Sequence, residues 1–223
     1  MATPQSTGQC KLCKKVYKKS SMSTHLKSCK KKYYSEKYPK SKEQRVFHII
    51  VEGTWAPFYW LHIDVPVKTK LEALDAYLRE IWLECCGHMS MFNIGNTRYS
   101  IDVVYGFDED EKDMNVSIDK ILKPKTKFSH EYDFGSTTCL SLRVFDEHLV
   151  KYKGKQINLL ARNEMPPVPC KCKKLATQVC SACSYEEEGW LCDKCAKKHP
   201  CGEDMLLPVV NSPRVGICGY TGE

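Results

Sequence analysis

Val46-Phe47-His48-Ile49-Ile50-Val51 and Phe58-Tyr59-Trp60-Leu61-His62-Ile63-Asp64-Val65 are two apolar runs rich in β-branched and aromatic residues, separated by the stretch from Gly53 to Pro57. Runs of that length and composition, broken by glycine and proline, predict two strands joined by a turn. Leu71, Leu74, Leu78, Ile81, Trp82 and Cys85 then recur at three- and four-residue steps, which predicts an amphipathic helix ending before Gly87. Thr69 with Glu72 has the spacing of a capping box at its start. Phe92–Ile94 and Arg98–Val104 flank a Gly95-Asn96 turn, a hairpin signature. Val116–Leu122 predicts a short helix stopped before Pro124. Lys127–Phe134 and Thr138–Phe145 predict a second hairpin turning at Gly135-Ser136, and Lys151–Ala161, with its Gln156–Leu160 core, a last strand. The expectation for residues 46–161 is an α+β domain, a mixed or antiparallel sheet with packed helices, long enough for a core of its own.

Outward from that core the composition changes. The chain has 223 residues, 14 cysteines and a net charge of +7. Residues 1–45 hold thirteen basic residues against Glu36 and Glu43, a local charge of +11, which leaves the other 178 residues at −4. A basic arm on a mildly acidic body points to a polyanion partner met through the arm. No apolar run reaches membrane-spanning length, and no apolar stretch of a secretory signal follows Met1, so a cytoplasmic location without membrane association is expected, or a nuclear one in a eukaryote. In a reducing compartment, closely paired cysteines serve as metal ligands more often than as disulfides. Met165-Pro166-Pro167-Val168-Pro169 predicts a stiff linker at 162–169, and residues 170–223 beyond it carry eight cysteines.

The first metal constellation is Cys10-x2-Cys13-x11-His25-x3-Cys29, with Tyr17 and Met22 between the ligand pairs. Its spacing places a thiolate pair on a turn and a His/Cys pair on one helical face, four donors for tetrahedral zinc. It resembles the C2H2 zinc finger, in a C2HC variant whose central spacer is one residue short. Lys14, Lys15, Lys18, Lys19 and Lys27 lie between the ligands, and Lys30, Lys31 and Lys32 follow, interleaved downstream with Tyr33, Tyr34 and Tyr38. Lysines neutralise phosphates and tyrosines stack on exposed bases, so these eight lysines are the expected nucleic-acid contacts. No arginine lies within the finger to read guanine, so strong sequence specificity is not expected.

The second constellation reads Cys170-x-Cys172-x7-Cys180-x2-Cys183-x8-Cys192-x2-Cys195-x3-His199-x-Cys201. Eight donors make two four-coordinate sites. If the pairs alternate as in a cross-brace, Cys170, Cys172, Cys192 and Cys195 hold one ion and Cys180, Cys183, His199 and Cys201 the other. A competing arrangement uses Cys218 in place of His199 or Cys201. The module resembles MYND-type and B-box zinc modules, including the Trp190-Leu191 approach to Cys192. The expected cofactor content is therefore about three zinc ions per chain, at four ligands each.

In the central region Tyr132-Asp133-Phe134-Gly135 after Phe128, Val144 closing that hairpin, and the segment from Phe92 to Tyr99 resemble the plasmid pRiA4b open-reading-frame-three-like family, also described as transposon-passenger, resolvase-like domains. The resemblance covers about half the chain and implies an α+β fold without an established chemistry. Where that family usually follows the glycine with Asp and Trp, Ser136, Thr137 and Thr138 stand here.

Other groups carry weaker signals. The acidic run Asp108–Asp113 lacks the glycine and the closing glutamate of an EF-hand and reads as a solvated loop. Cys85-Cys86 reads as packing at a helix end. His48, His62, His130 and Asp133 could converge on a hairpin face, yet lone histidines on strands are more often structural. Closed four-ligand sites leave no position for a reactive water, and the His-x-Glu of zinc deaminases is missing. The leading expectation is thus a non-enzymatic zinc-binding protein that binds nucleic acid, DNA or RNA, with the ribosome among its candidate targets. Its rivals are a protein–protein adaptor built on the C-terminal zinc module and, third, a nucleic-acid-processing enzyme on the central domain.

Overall fold

In the computed structural model, which describes residues 6–101, 110–151 and 156–222, the two opening runs become strands β3 (Glu43–Gly53) and β4 (Trp60–Pro66). They pair antiparallel, with Ile49 opposite Ile63. Every residue of β4 is buried because both faces of the sheet are covered. Alternation along the strand divides its side chains between the two faces. Leu61, Ile63 and Val65 join Phe47, Ile49 and Val51 in the main core, which is closed by Leu71, Leu74, Leu78 and Trp82. Trp60 points the other way, into a second core with Met22, Leu26, Tyr34, Val46, Val150 and Leu160.

Among the described residues the sheet built on this pair has ten strands. Taking β1 (Thr7–Cys10), β2 (Val16–Lys18), β5 (Ser90–Ile94), β6 (Thr97–Ser100), β7 (Glu111–Asp113), β8 (Lys127–Tyr132), β9 (Thr138–Lys151) and β10 (Asn158–Asn163), the order is β2-β1-β10-β4-β3-β9-β8-β5-β6-β7. All pairings are antiparallel except β6 with β7. Helix α1 (Lys19–Lys37) covers the Trp60 face and helix α2 (Leu71–Leu78) the opposite one. The fold is a mixed, sheet-dominated architecture with few helices. The described residues on either side of the expected boundary at 45/46 share one sheet: β1 lies in register with β10, Gly8 opposite Asn163 and Cys10 opposite Ala161, so the finger extends the sheet.

Local details differ from the sequence expectations for physical reasons. The Thr69/Glu72 capping box does not form, since α2 has no side-chain cap. Main-chain carbonyls do that work instead: Leu71 N donates to Val116 O at 2.9 Å and Glu72 N to Met114 O at 3.1 Å. The expected long helix runs as α2 only to Leu78 and continues as a π turn, Arg79–Leu83, that buries Trp82 and Leu83 side by side. The short helix expected over Val116–Leu122 is one 3₁₀ turn, Ile118–Lys120. Of the strand expected over Arg98–Val104, residues 102–104 lie outside the described residues, as do Asp108 and Glu109 of the acidic run and residues 152–155. The last strand is displaced toward Asn163, where Arg162 and Asn163 gain β1 as a partner.

After an extended linker the chain builds a small three-stranded sheet, β12-β11-β13, from β11 (Gln178–Cys180), β12 (Trp190–Leu191) and β13 (Leu206–Pro208), with the short helix α3 (Asp193–Ala196). The tail then returns to the central sheet, burying Ser212, Arg214, Val215 and Tyr220. Trp82 Nε1 donates to Asn211 O at 3.1 Å, and Ser212 Oγ to Trp82 O at 2.6 Å.

Gly8 shows how tightly the finger is set against the sheet. A Cβ there would stand 2.5 Å from Arg162 O and 2.5 Å from Trp60 Cζ2, distances no real Cβ adopts. Overpacking of this kind costs about 1–3 kcal/mol. Gly8→Ala is expected to lower the unfolding free energy by that amount, and an unchanged midpoint in a urea titration would show that β1 is not held against Trp60.

Candidate metal centres and the lysine surface

The thiol and imidazole groups of the finger are positioned by two elements. Cys10 ends β1, and a tight turn returns Lys14 N to Cys10 O at 2.8 Å, with Lys14 in the left-handed region at φ 66°. His25 and Cys29, one turn apart on α1, face this knuckle. Cys10 Sγ is 3.8 Å from Cys29 Sγ, and Cys13 Sγ is 3.4 Å from His25 Nε2, whose ring stacks on Tyr17 at 3.9 Å. Zinc–sulfur and zinc–nitrogen bonds in a tetrahedron imply edges of about 3.8 Å and about 3.6 Å respectively. These separations match those edges and are far longer than a disulfide bond.

The C-terminal module brings together two groups, Cys170, Cys172, Cys192 and Cys195, and Cys180, Cys183, His199 and Cys201, each with its donor atoms within 4.8 Å of one another. Cys172 Sγ lies 3.6 Å from Cys170 Sγ and 3.5 Å from Cys192 Sγ, while Cys183 Sγ lies 3.7 Å from both His199 Nε2 and Cys201 Sγ. Among the described residues Cys180, Leu191 and Ala196 form the module's own buried cluster, while Val179 joins the main core with Trp190 and Leu207 packed against it, so the ligand-bearing side of the module has little apolar support of its own. Crowding also polarises the thiols. Backbone N–H groups, Cys172's first, hold the Cys170 thiol down at about 6, whereas bonds to Cys170, Cys172 and Cys192 push Cys195 up to about 12. Burial and the neighbouring Cys10 push Cys29 to about 12 as well. So many thiols in contact ionise together only when a cation shares the charge.

A fourth group escaped the sequence reading. Cys85, Cys86, His88 and Cys218 also bring their donor atoms within 4.8 Å. Cys86 and Cys218 are exposed, so the pair Cys85-Cys86 is not simply packing, and Cys218 serves neither C-terminal site. The available signal was the Cys-Cys-Gly-His tandem at 85–88 together with an orphan cysteine between glycines at 216 and 219. Among the described residues, four Cys/His clusters able to hold metal ions therefore take up thirteen of the fourteen cysteines, leaving Cys139.

The lysines divide into two kinds. Lys14, Lys15, Lys18, Lys27, Lys31 and Lys32 are exposed. Lys19 is half-buried, 3.1 Å from Glu52 and donating to Pro57 O. Lys30 departs from the expected phosphate contacts altogether. It is buried under α1 with Nζ 3.2 Å from Asp64 Oδ1, and burial pushes its ammonium down against the pull of that carboxylate. Tyr34 Oη donates to Asp64 Oδ2 at 3.1 Å, and His148 Nε2 lies 3.4 Å from the same oxygen. The four groups expected to converge on one hairpin face occupy three places. His48 and His62 contact each other at 2.8 Å beneath α1, His130 pairs with Asp75 at 2.6 Å on the opposite face, and Asp133 pairs with Arg214 at 2.7 Å.

No protein-family model matches the chain, and no curated protein matches it. A solved structure, the protein of unknown function MM3350 from Methanosarcina mazei Go1, is similar over 53% of this chain and 70% of its own, with 15% identity and a TM-score of 0.47.

His62 gives a pH test of the covered face. Burial, with the Lys30 charge, pushes its imidazole down to about 3, against about 6.5 in an unfolded chain. The unfolded state therefore takes up a proton that the native state refuses. Stability from this group is complete above about pH 6.5 and falls by about 1.4 kcal/mol per pH unit toward pH 3. An NMR titration should find the His62 ring neutral at pH 5, and the unfolding free energy of His62→Gln should depend less steeply on pH between 6.5 and 5. Equal slopes would mean that water reaches this face.

Proposed function

We propose that the chain is a non-enzymatic zinc protein that binds nucleic acid through the exposed lysines of its finger. Thiolate-rich, four-donor clusters suit zinc better than harder cations, which prefer oxygen. The observation that carries the nucleic-acid reading is the division of the lysines. Lys30 and Lys19 serve the fold, while Lys14, Lys15, Lys18, Lys27, Lys31 and Lys32 project from the knuckle and the outer side of α1. A rigid, sheet-backed mount holds these charges at set spacings, as phosphate contact requires and a solubilising tail does not. Serine and threonine make up most of the remaining polar residues of the finger, which favours backbone contact over base reading. Whether DNA, RNA or a ribosomal surface is the polyanion, the phosphate chemistry is the same.

A second reading has its own support in the C-terminal module. Tyr185 and Leu175 are 86% and 64% exposed, and Tyr185 lines a cleft of about 460 Å³ with Val168, Pro169 and Trp190. Exposed aromatic and aliphatic side chains beside a cleft suit a peptide partner. Both activities fit in one chain, since the two surfaces do not share residues.

Deleting the finger would remove β1 from the sheet, so charge reversal is the cleaner test. If about four phosphates are engaged, affinity should fall by roughly two orders of magnitude between 50 and 200 mM salt. Lys14→Glu, Lys15→Glu, Lys27→Glu and Lys31→Glu together should abolish most binding and flatten that dependence with zinc content unchanged. Lys30→Ala should lower stability and leave the salt slope as it is. Binding that survives the quadruple variant with its slope intact would move the site elsewhere.

A further inference from the structure

We propose that Cys85, Cys86, His88 and Cys218 bind a zinc ion of their own, and that this ion locks the C-terminal tail to the central sheet. His88 Nε2 lies 3.2 Å from Cys218 Sγ, although 130 positions separate the two residues, and no local motif obliges them to meet. Two chain segments have to be shaped to bring them together, and both are.

On the core side, the π turn closes with Glu84 N donating to Arg79 O at 2.8 Å and then releases the chain into Cys85. Inserted π turns of this kind re-aim the residues that follow and are frequent at functional sites. Glu84 Oε1 accepts from Gly87 N at 2.6 Å and from Tyr132 Oη at 2.9 Å, so the Cys-Cys-Gly-His loop is folded back over β8. Gly87 takes φ +72° with open space around it, so the turn and not crowding calls for glycine. On the tail side, Gly216, Cys218 and Gly219 all have positive φ, at +78°, +48° and +69°. A cysteine in that region carries backbone strain, which persists only where surrounding contacts hold it.

The surroundings fit a cationic centre ringed by thiolates. Arg214 is fully buried, with Nη2 3.4 Å from Cys85 Sγ and 2.7 Å from Asp133 Oδ2. Its Nη1 donates to Thr138 Oγ1 at 3.0 Å and to Ser136 O at 3.2 Å. Arg214 sets a donor against Cys85 Sγ while sharing its charge with Asp133, and Tyr132 Oη accepts from Cys85 N at 3.4 Å and His88 N at 3.3 Å, which orients the loop. Such outer partners are the usual companions of metal ligands. Three sulfurs and one imidazole nitrogen select zinc over calcium or magnesium. The bound ion closes a loop that contains both metal groups of the C-terminal module, and adds a second tether to the packing of Val179 on the main core.

The test compares zinc content of the full chain with that of a Cys86→Ser, Cys218→Ser double variant, both purified without chelator. The double variant should hold one zinc fewer, and amides of residues 209–222 should exchange at least tenfold faster. Should it fail to fold, His88→Cys serves instead. Loaded with cobalt(II), it should keep the same ion count and shift the d–d absorption as sulfur replaces nitrogen. Equal zinc content in wild type and double variant, an unshifted spectrum in His88→Cys, or a Cys86–Cys218 disulfide found by mass would overturn the proposal.

Discussion

Strand β10 is the seam on which the other parts depend. One edge of it is hydrogen-bonded to β4 and the other to β1, so the finger and the central sheet share a single strand. A register shift between Leu159 and Ala161 buries both Leu160 and Ala161 in the finger-side core. At its end, Asn163 Oδ1 accepts from Trp60 N at 3.1 Å, and its Nδ2 donates to Asn211 Oδ1 at 2.7 Å. Asn211 Nδ2 returns a bond to Asn163 O at 2.8 Å, and Arg162 donates to Asn211 O. The position of Cys10, and with it one corner of the finger's metal cluster, is therefore set by the sheet, and the tail is tied to the same strand.

Two kinds of contact seat α1 on that seam, and they do different work. Met22, Leu26 and Tyr34 are withdrawn from water almost completely, each contributing about 1.5–3 kcal/mol of burial. The Lys30–Asp64 pair adds little net stability, because desolvating two charges offsets most of their attraction. What the pair supplies is orientation. A helix slid or rotated by one turn would leave Asp64 buried without a cation, at a cost of about 3–5 kcal/mol. The candidate metal ligands His25 and Cys29 on α1 and the exposed lysines on its outer side are thereby presented at one defined angle.

Much of this was legible in the sequence where the signal is local. The two hairpins follow from Gly95-Asn96 and Gly135-Ser136, and the gathering of twelve Cys and His side chains into three groups from their spacing. The rest depends on partners far along the chain. A run of lysines gives no hint that Lys30 meets Asp64, because the i, i+4 row Met22, Leu26, Lys30, Tyr34 is interrupted by charge. The start of α2 carries the residues of a capping box, yet carbonyls at 114 and 116 reach its amides first. Cys218 could be paired only by knowing that the tail returns across the sheet to His88.

Hydrogen exchange of β10 and β4 in metal-loaded and chelated protein tests most directly whether finger, sheet and tail form one folding unit. With metal removed, β10 amides should lose protection together with those of β1 and α1, and the edge of β4 facing β10 should follow. Full retention of protection in β10 and β4 while residues 6–40 exchange freely would contradict the account, and would make the finger an appendage of a sheet that stands without it.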